Sequence, residues 1–154
     1  MIYMSENYFD FEQDFVESLR CIPMIVRYKL DTCGVKLKLS HWHRFNHIAR
    51  QELVDKPCSK PEEIQSYRKW LHQLVIEQTN TSATDLPVEE NPAWMDETKI
   101  PETVQEKAKE VGIKINLDQW ENLTLLQRFV LIKLSRPSHE NQNFLPAVEE
   151  FKLI

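Results

Sequence analysis

The stretch PMIVRYKLDTCG at residues 23–34 returns as PETVQEKAKEVG at residues 101–112, proline first and glycine last both times. Gly34 and Gly112 are the chain's only two glycines. Proline suits the first turn of a helix, where its missing N–H has no bond to lose, and glycine adopts the left-handed conformation that ends one. Helices over 23–33 and 101–111 are therefore predicted. The same offset of 78 residues extends outward, pairing Ile22 with Ile100, Val26 with Val104, Lys29 with Lys107, Lys36 with Lys114, Leu39 with Leu117, Trp42 with Trp120, Arg50 with Arg128 and Leu53 with Leu131. Like-for-like pairs such as Val35/Ile113 and Ile48/Leu126 fill the gaps. A repeat of this length decides the architecture before any single motif does.

The expected fold is mostly α: one domain over 1–154, internally duplicated, with repeat one at 22–78, a linker at 79–99, repeat two at 100–154, and the halves related by a pseudo-two-fold. After each glycine an alternating segment follows, residues 35–39 and 113–117, whose period of two suits a short strand. The two segments are expected to pair as a tiny sheet between the halves. Ser40 and Asp118 are read as N-caps of the turns carrying Trp42 and Trp120, with Asp118 and Glu121 at capping-box spacing. Asn46 and Thr124, the latter boxed with Gln127, are read as caps of the next helices. A third helix opens at Pro61 with Ile64, Tyr67, Leu71, Leu74 and Val75 on one stripe. Its counterpart is shorter, starting at Pro146 and carrying Val148 and Phe151. Trp94 is expected to pin the linker.

At 154 residues, with 42% hydrophobic and 28% charged, the chain can bury a normal core without metal or disulfide. It has no apolar run of membrane-spanning length, and Glu6, Asp10, Glu12 and Asp14 make its start unlike a signal peptide, so a cytoplasmic location is expected. The net charge of −5 is unevenly spread: residues 1–19 are acidic, 20–69 basic, 70–112 acidic again. Either the acidic segments soften self-repulsion of the basic part, or the basic part is a docking face. Nucleic acid is a poor fit, because an acidic chain offers few phosphate contacts.

Both glycines are spent on helix ends, which leaves no dinucleotide fingerprint, Walker loop or nucleophile elbow. Cys21, Cys33 and Cys58 are the candidate metal ligands, yet none of their spacings matches a zinc or cluster motif. Cys33 aligns with Val111, which favours a small buried apolar group, and Cys21 aligns with Lys99, which favours a surface. His41, His43 and His47 read as an exposed, partly charged cluster feeding the basic face rather than as zinc ligands. The polar run from Ser135 to Asn143 has no counterpart in the first copy. Added loops on a repeated scaffold are natural recognition sites.

FVESLRCIPM at 15–24, LDTCG at 30–34, PAW at 92–94, LSRP at 134–137, HEN at 139–141 and NFLPA at 143–147 together resemble the conserved nitrate reductase-associated proteins of cyanobacteria and some other bacteria. The resemblance covers nearly the whole chain. It implies a small cytoplasmic protein encoded near nitrate reductase and molybdenum-cofactor genes and needed for an active reductase, and it supplies no catalytic residue. The leading expectation is a non-enzymatic accessory factor without cofactor that binds nitrate reductase or its apo-form, through Lys36, Lys38, Arg44 and Arg50 together with Arg136, His139, Glu140 and Asn143. The alternatives are a redox carrier holding zinc or an iron–sulfur cluster on Cys21, Cys33 and Cys58, and a small enzyme of molybdenum-cofactor handling.

Overall fold

The computed structural model describes residues 8–12, 19, 21–137 and 141–154. The chain divides into two compact units, one built on Glu12–Val88 and the other on Glu89–Ile154 with Phe9–Phe11.

In the first unit, α1 (Met24–Cys33) ends at Gly34, whose N–H bonds the Leu30 carbonyl at 2.9 Å with φ of 75°. The chain continues through β1 (Val35–Lys36), α2 (Leu39–Arg44), α3 (His47–Asp55), α4 (Pro61–Thr79) and β2 (Thr84–Asp85). Helices α1 and α2 both pack on α4, and α1 also packs on α3. Val26, Leu30, Trp42, Leu53, Tyr67, Leu71 and Val75 form the core. Each large apolar side chain taken out of water there stabilises by about 1.5–3 kcal/mol. Trp42 can be fully buried because its indole N–H donates to the Leu19 carbonyl at 2.7 Å.

In the second unit, a 3-10 turn (Ala93–Met95) precedes α5 (Glu102–Glu110), α6 (Leu117–Glu121), α7 (Leu125–Ser135), a second 3-10 turn (Asn141–Asn143) and α8 (Phe144–Glu150). Helix α7 is the hub, packed by α5, α8 and both turns. Its buried residues Arg128 to Ile132, Leu134 and Ser135 run around the whole helix, the pattern of a central core helix. Trp120 is fully buried and donates its indole N–H to the Asp96 carbonyl at 2.9 Å.

Three helices begin 78 residues apart, at Met24 and Glu102, Leu39 and Leu117, and His47 and Leu125. Gly112, like Gly34, is left-handed, with φ of 80°. The caps at Asn46 and Thr124 form as expected, accepting from Ala49 N–H at 2.8 Å and Gln127 N–H at 3.0 Å.

Several expectations need correction. The sheet does not join 35–39 to 113–117: β1 pairs antiparallel with β2, Val35 opposite Asp85 and Lys36 opposite Thr84. Asp85 is drawn there by Arg68 and His72 of α4, each 2.9 Å from its carboxylate, and residues 113–116 carry no strand. Ser40 and Asp118 are not caps, because both helices start earlier. Asn116 caps α6 in a box with Gln119, at 2.9 and 3.0 Å, and in α2 the Lys38 N–H donates to His41 Nδ1 at 3.2 Å. Pro146 lies in the first turn of α8 and Phe144 starts that helix.

Candidate functional site

The basic residues singled out in the first unit have two different fates. Lys36, Lys38 and Arg44 are exposed, the first in β1 and the others at the two ends of α2. Six residues of helix separate Lys38 from Arg44 by about 9 Å, so one partner surface can meet both. Arg44 is oriented by donating Nη1 to the Thr79 carbonyl at 3.3 Å, the open end of α4, where a cation is also favoured by the helix dipole. Arg50 is half-buried and committed to the fold. Its guanidinium donates to the carbonyls of Trp42, Leu19 and His43 at 3.1, 3.2 and 3.1 Å and lies 5.6 Å from the Trp42 ring.

His43 and His47 are exposed, but His41 is buried, which corrects the reading of all three as one charged surface cluster. Burial first, then Lys38 and Arg44, holds its pKa below the ordinary 6.5. Nδ1 accepts from Lys38 N–H, so the neutral ring carries its proton on Nε2 and donates it to Thr81 Oγ1 at 3.3 Å. Thr81 in turn donates to Thr79 Oγ1 at 2.7 Å, and Thr79 donates to the Val75 carbonyl at 2.7 Å. This chain of donors ties α2 to the end of α4.

In the second unit Arg136 is exposed at the end of α7, and Asn143 is half-buried at the start of α8. His139 and Glu140 lie outside the described residues.

The cysteines separate as well. Cys21 is exposed, while Cys33 at the end of α1 and Cys58 in the loop before α4 are both buried and donate to consecutive carbonyls of α1, those of Leu30 and Lys29, each at 3.8 Å. Among the described residues no group of three or more His, Cys, Asp or Glu side chains is placed to hold a metal ion. Nor is any helix among them long and apolar enough to cross a membrane.

The family model for the conserved nitrate reductase-associated protein matches residues 8–151, a span that takes in both units. The chain belongs to that family. Among curated proteins and solved structures nothing matches it. The family's description links the chain to association with nitrate reductase. Three features of this member lay beyond sequence reasoning: the Cys33–Cys58 contact, the Asp85 clasp, and buried Glu12, whose carboxylate accepts the Met24 N–H at 2.8 Å and so caps α1. Pro23 provides no side-chain cap for that helix, which was the one available hint that an acceptor comes from elsewhere.

Proposed function

We propose that this protein is a cytoplasmic, non-enzymatic accessory factor that binds nitrate reductase or its apo-form and supports its assembly or activity in nitrate assimilation. The observation that carries the reading is the family match across residues 8–151. The exposed cations Lys36, Lys38 and Arg44 of the first unit and Arg136 of the second, together with half-buried Asn143, are the docking residues in this reading; Arg50 acts on the scaffold. Cationic side chains suit carboxylate-bearing partners, and Arg does so bidentately. A tagged chain is expected to retrieve the reductase from nitrate-grown cells, and joint replacement of Lys36, Lys38 and Arg44 by Glu to reduce that retrieval at least tenfold. The reading fails if no reductase is recovered and a deletion strain keeps full reductase activity.

We also propose that the two units descend from one tandem duplication. The shared helix starts and paired Gly, Trp and Arg positions support it. A superposition of residues 22–53 on 100–131 that left α1 and α5, or α3 and α7, out of register would defeat it.

A further inference from the structure

Two thiols meet inside the first unit. Cys33 is the last residue of α1 and Cys58 sits in the short loop between α3 and α4. They are 1% and 3% exposed, and their sulfurs lie 3.8 Å from consecutive carbonyls of α1, those of Leu30 and Lys29. Each thiol donates to its carbonyl, and each shifts the other's proton equilibrium, so the two groups are neighbours. Lys29 holds its ammonium against the carbonyls of Val54 and Lys56, four and two residues before Cys58 in the chain, and 5.9 Å from the Tyr67 ring. A cleft of about 260 Å³ whose lining includes Lys56, Pro57, Tyr67 and Trp70 opens beside this loop, and Pro57 is the chain neighbour of Cys58.

We propose that Cys33 and Cys58 are an oxidisable dithiol that a peroxide converts to an intramolecular disulfide, with Cys58 as the attacking sulfur.

The asymmetry of the pair sets the order of events. The neighbouring Cys33 and the positive charge of Lys29 bring the Cys58 thiol below its ordinary pKa, against the opposing effects of burial and of Glu63. The neighbouring Cys58, with burial, pushes the Cys33 thiol up, so it keeps its proton. Thiolate character decides which sulfur reacts. The Cys58 sulfur attacks one peroxide oxygen, the O–O bond breaks, and one water leaves with a sulfenic acid formed on Cys58. The Cys33 sulfur then attacks the Cys58 sulfur, the S–O bond breaks, and a second water leaves. Two thiols lose two electrons in total, and one peroxide is reduced to two waters. Cys58 lies in a loop and Cys33 at a helix end, where the backbone can adjust to disulfide geometry.

The test uses the full chain with hydrogen peroxide as probe, followed by alkylation under denaturing conditions and non-reducing peptide mapping. The expected result is a fall from three alkylatable thiols to one, Cys21, with a mass lower by two hydrogens and a cross-linked peptide pair containing Cys33 and Cys58. The Cys33→Ser chain is expected to trap sulfenic acid at Cys58, readable with a dimedone tag, and the Cys58→Ser chain to leave Cys33 reduced at the same dose. The proposal is overturned if Cys33 and Cys58 both remain alkylatable at doses that oxidise Cys21. It is equally overturned if they go to sulfinic acid without cross-linking, or if the only disulfide involves Cys21.

Discussion

Gly34 and Gly112 end matching helices with nearly the same φ, 75° and 80°, yet their surroundings are opposite. A Cβ on Gly34 would lie 2.5 Å from Val88 Cγ2 and 2.8 Å from the Leu86 carbonyl oxygen, whereas one on Gly112 would meet nothing within 4 Å. The helix endings differ accordingly. After Gly112 the Ile113 N–H folds back to the Ala108 carbonyl at 2.9 Å, a Schellman-type closure, while after Gly34 the chain leaves the helix to pair with Thr84–Asp85. Leu86 N–H then bonds the Gly34 carbonyl at 2.8 Å, and Arg68 bridges the Cys33 carbonyl at 3.1 Å and Asp85 at 2.9 Å. The left-handed turn is local grammar shared by both units. The clasp laid over it belongs to the first unit alone.

The sharpest way to break this comparison is alanine at each glycine. Gly34→Ala is expected to cost about 3–5 kcal/mol, combining left-handed strain with a backbone carbonyl that has to move, and Gly112→Ala only about 1–2 kcal/mol. Urea unfolding of the two variants measures the gap, and equal losses would show that the clasp contributes nothing.

The next contrast is Arg128 against Arg50. Arg128 is 5% exposed and donates to the carbonyls of Trp94, Trp120 and Leu123 at 2.7, 3.4 and 2.7 Å, in a site water does not reach. Arg128→Leu is expected to cost about 2–4 kcal/mol by orphaning buried acceptors, and Arg50→Leu about 1 kcal/mol, because water replaces part of a half-exposed guanidinium. A reversed order in urea midpoints would remove burial as the deciding factor.

Where the units agree, the effects should agree too. Asn46→Ala and Thr124→Ala each delete one N-cap acceptor, and each is expected to cost about 1 kcal/mol. Thermal melts giving values more than twofold apart would mean that the caps are not equivalent.

The smallest effect is a pH slope confined to the first unit. His41 is matched by Gln119 in the second unit, and both accept the cap N–H, of Lys38 and Asn116 respectively. The folded pKa of His41 lies below 6.5, so the unfolded chain binds the proton more readily. Its stabilising contribution is full above pH 6.5 and is lost as pH falls from there through the lower folded value. His41→Gln is expected to flatten the decline in melting temperature below pH 6.5 while leaving it intact at pH 8. An unchanged slope would show that His41 does not titrate between the two states.

Helix positions were legible because they rest on nearest-neighbour chemistry: prolines at starts, glycines at ends, Asn46 and Thr124 as acceptors three residues before an open N–H, and an apolar stripe in α4. The misread caps at Ser40 and Asp118 show the limit of that reasoning, since a plausible acceptor two residues late cannot be told from the true start. The basic residues were legible as charges but not as roles. Whether a guanidinium faces a partner, as Arg44 can, or folds onto three carbonyls, as Arg50 does, depends on where distant carbonyls end up.

By itself the sequence determined the helical class, the helices that open after Pro23 and Pro101, the left-handed turns at both glycines and the family to which the chain belongs. Only the tertiary structure decided that β1 takes its partner from Thr84–Asp85, that His41 is buried and neutral while His43 stays exposed, and that Cys33 meets Cys58. Local propensities act within a turn or two of chain, and they set the first group. The second group joins residues 25 to 50 positions apart, where loop closure and competition for core volume choose among pairings that look equivalent in one dimension.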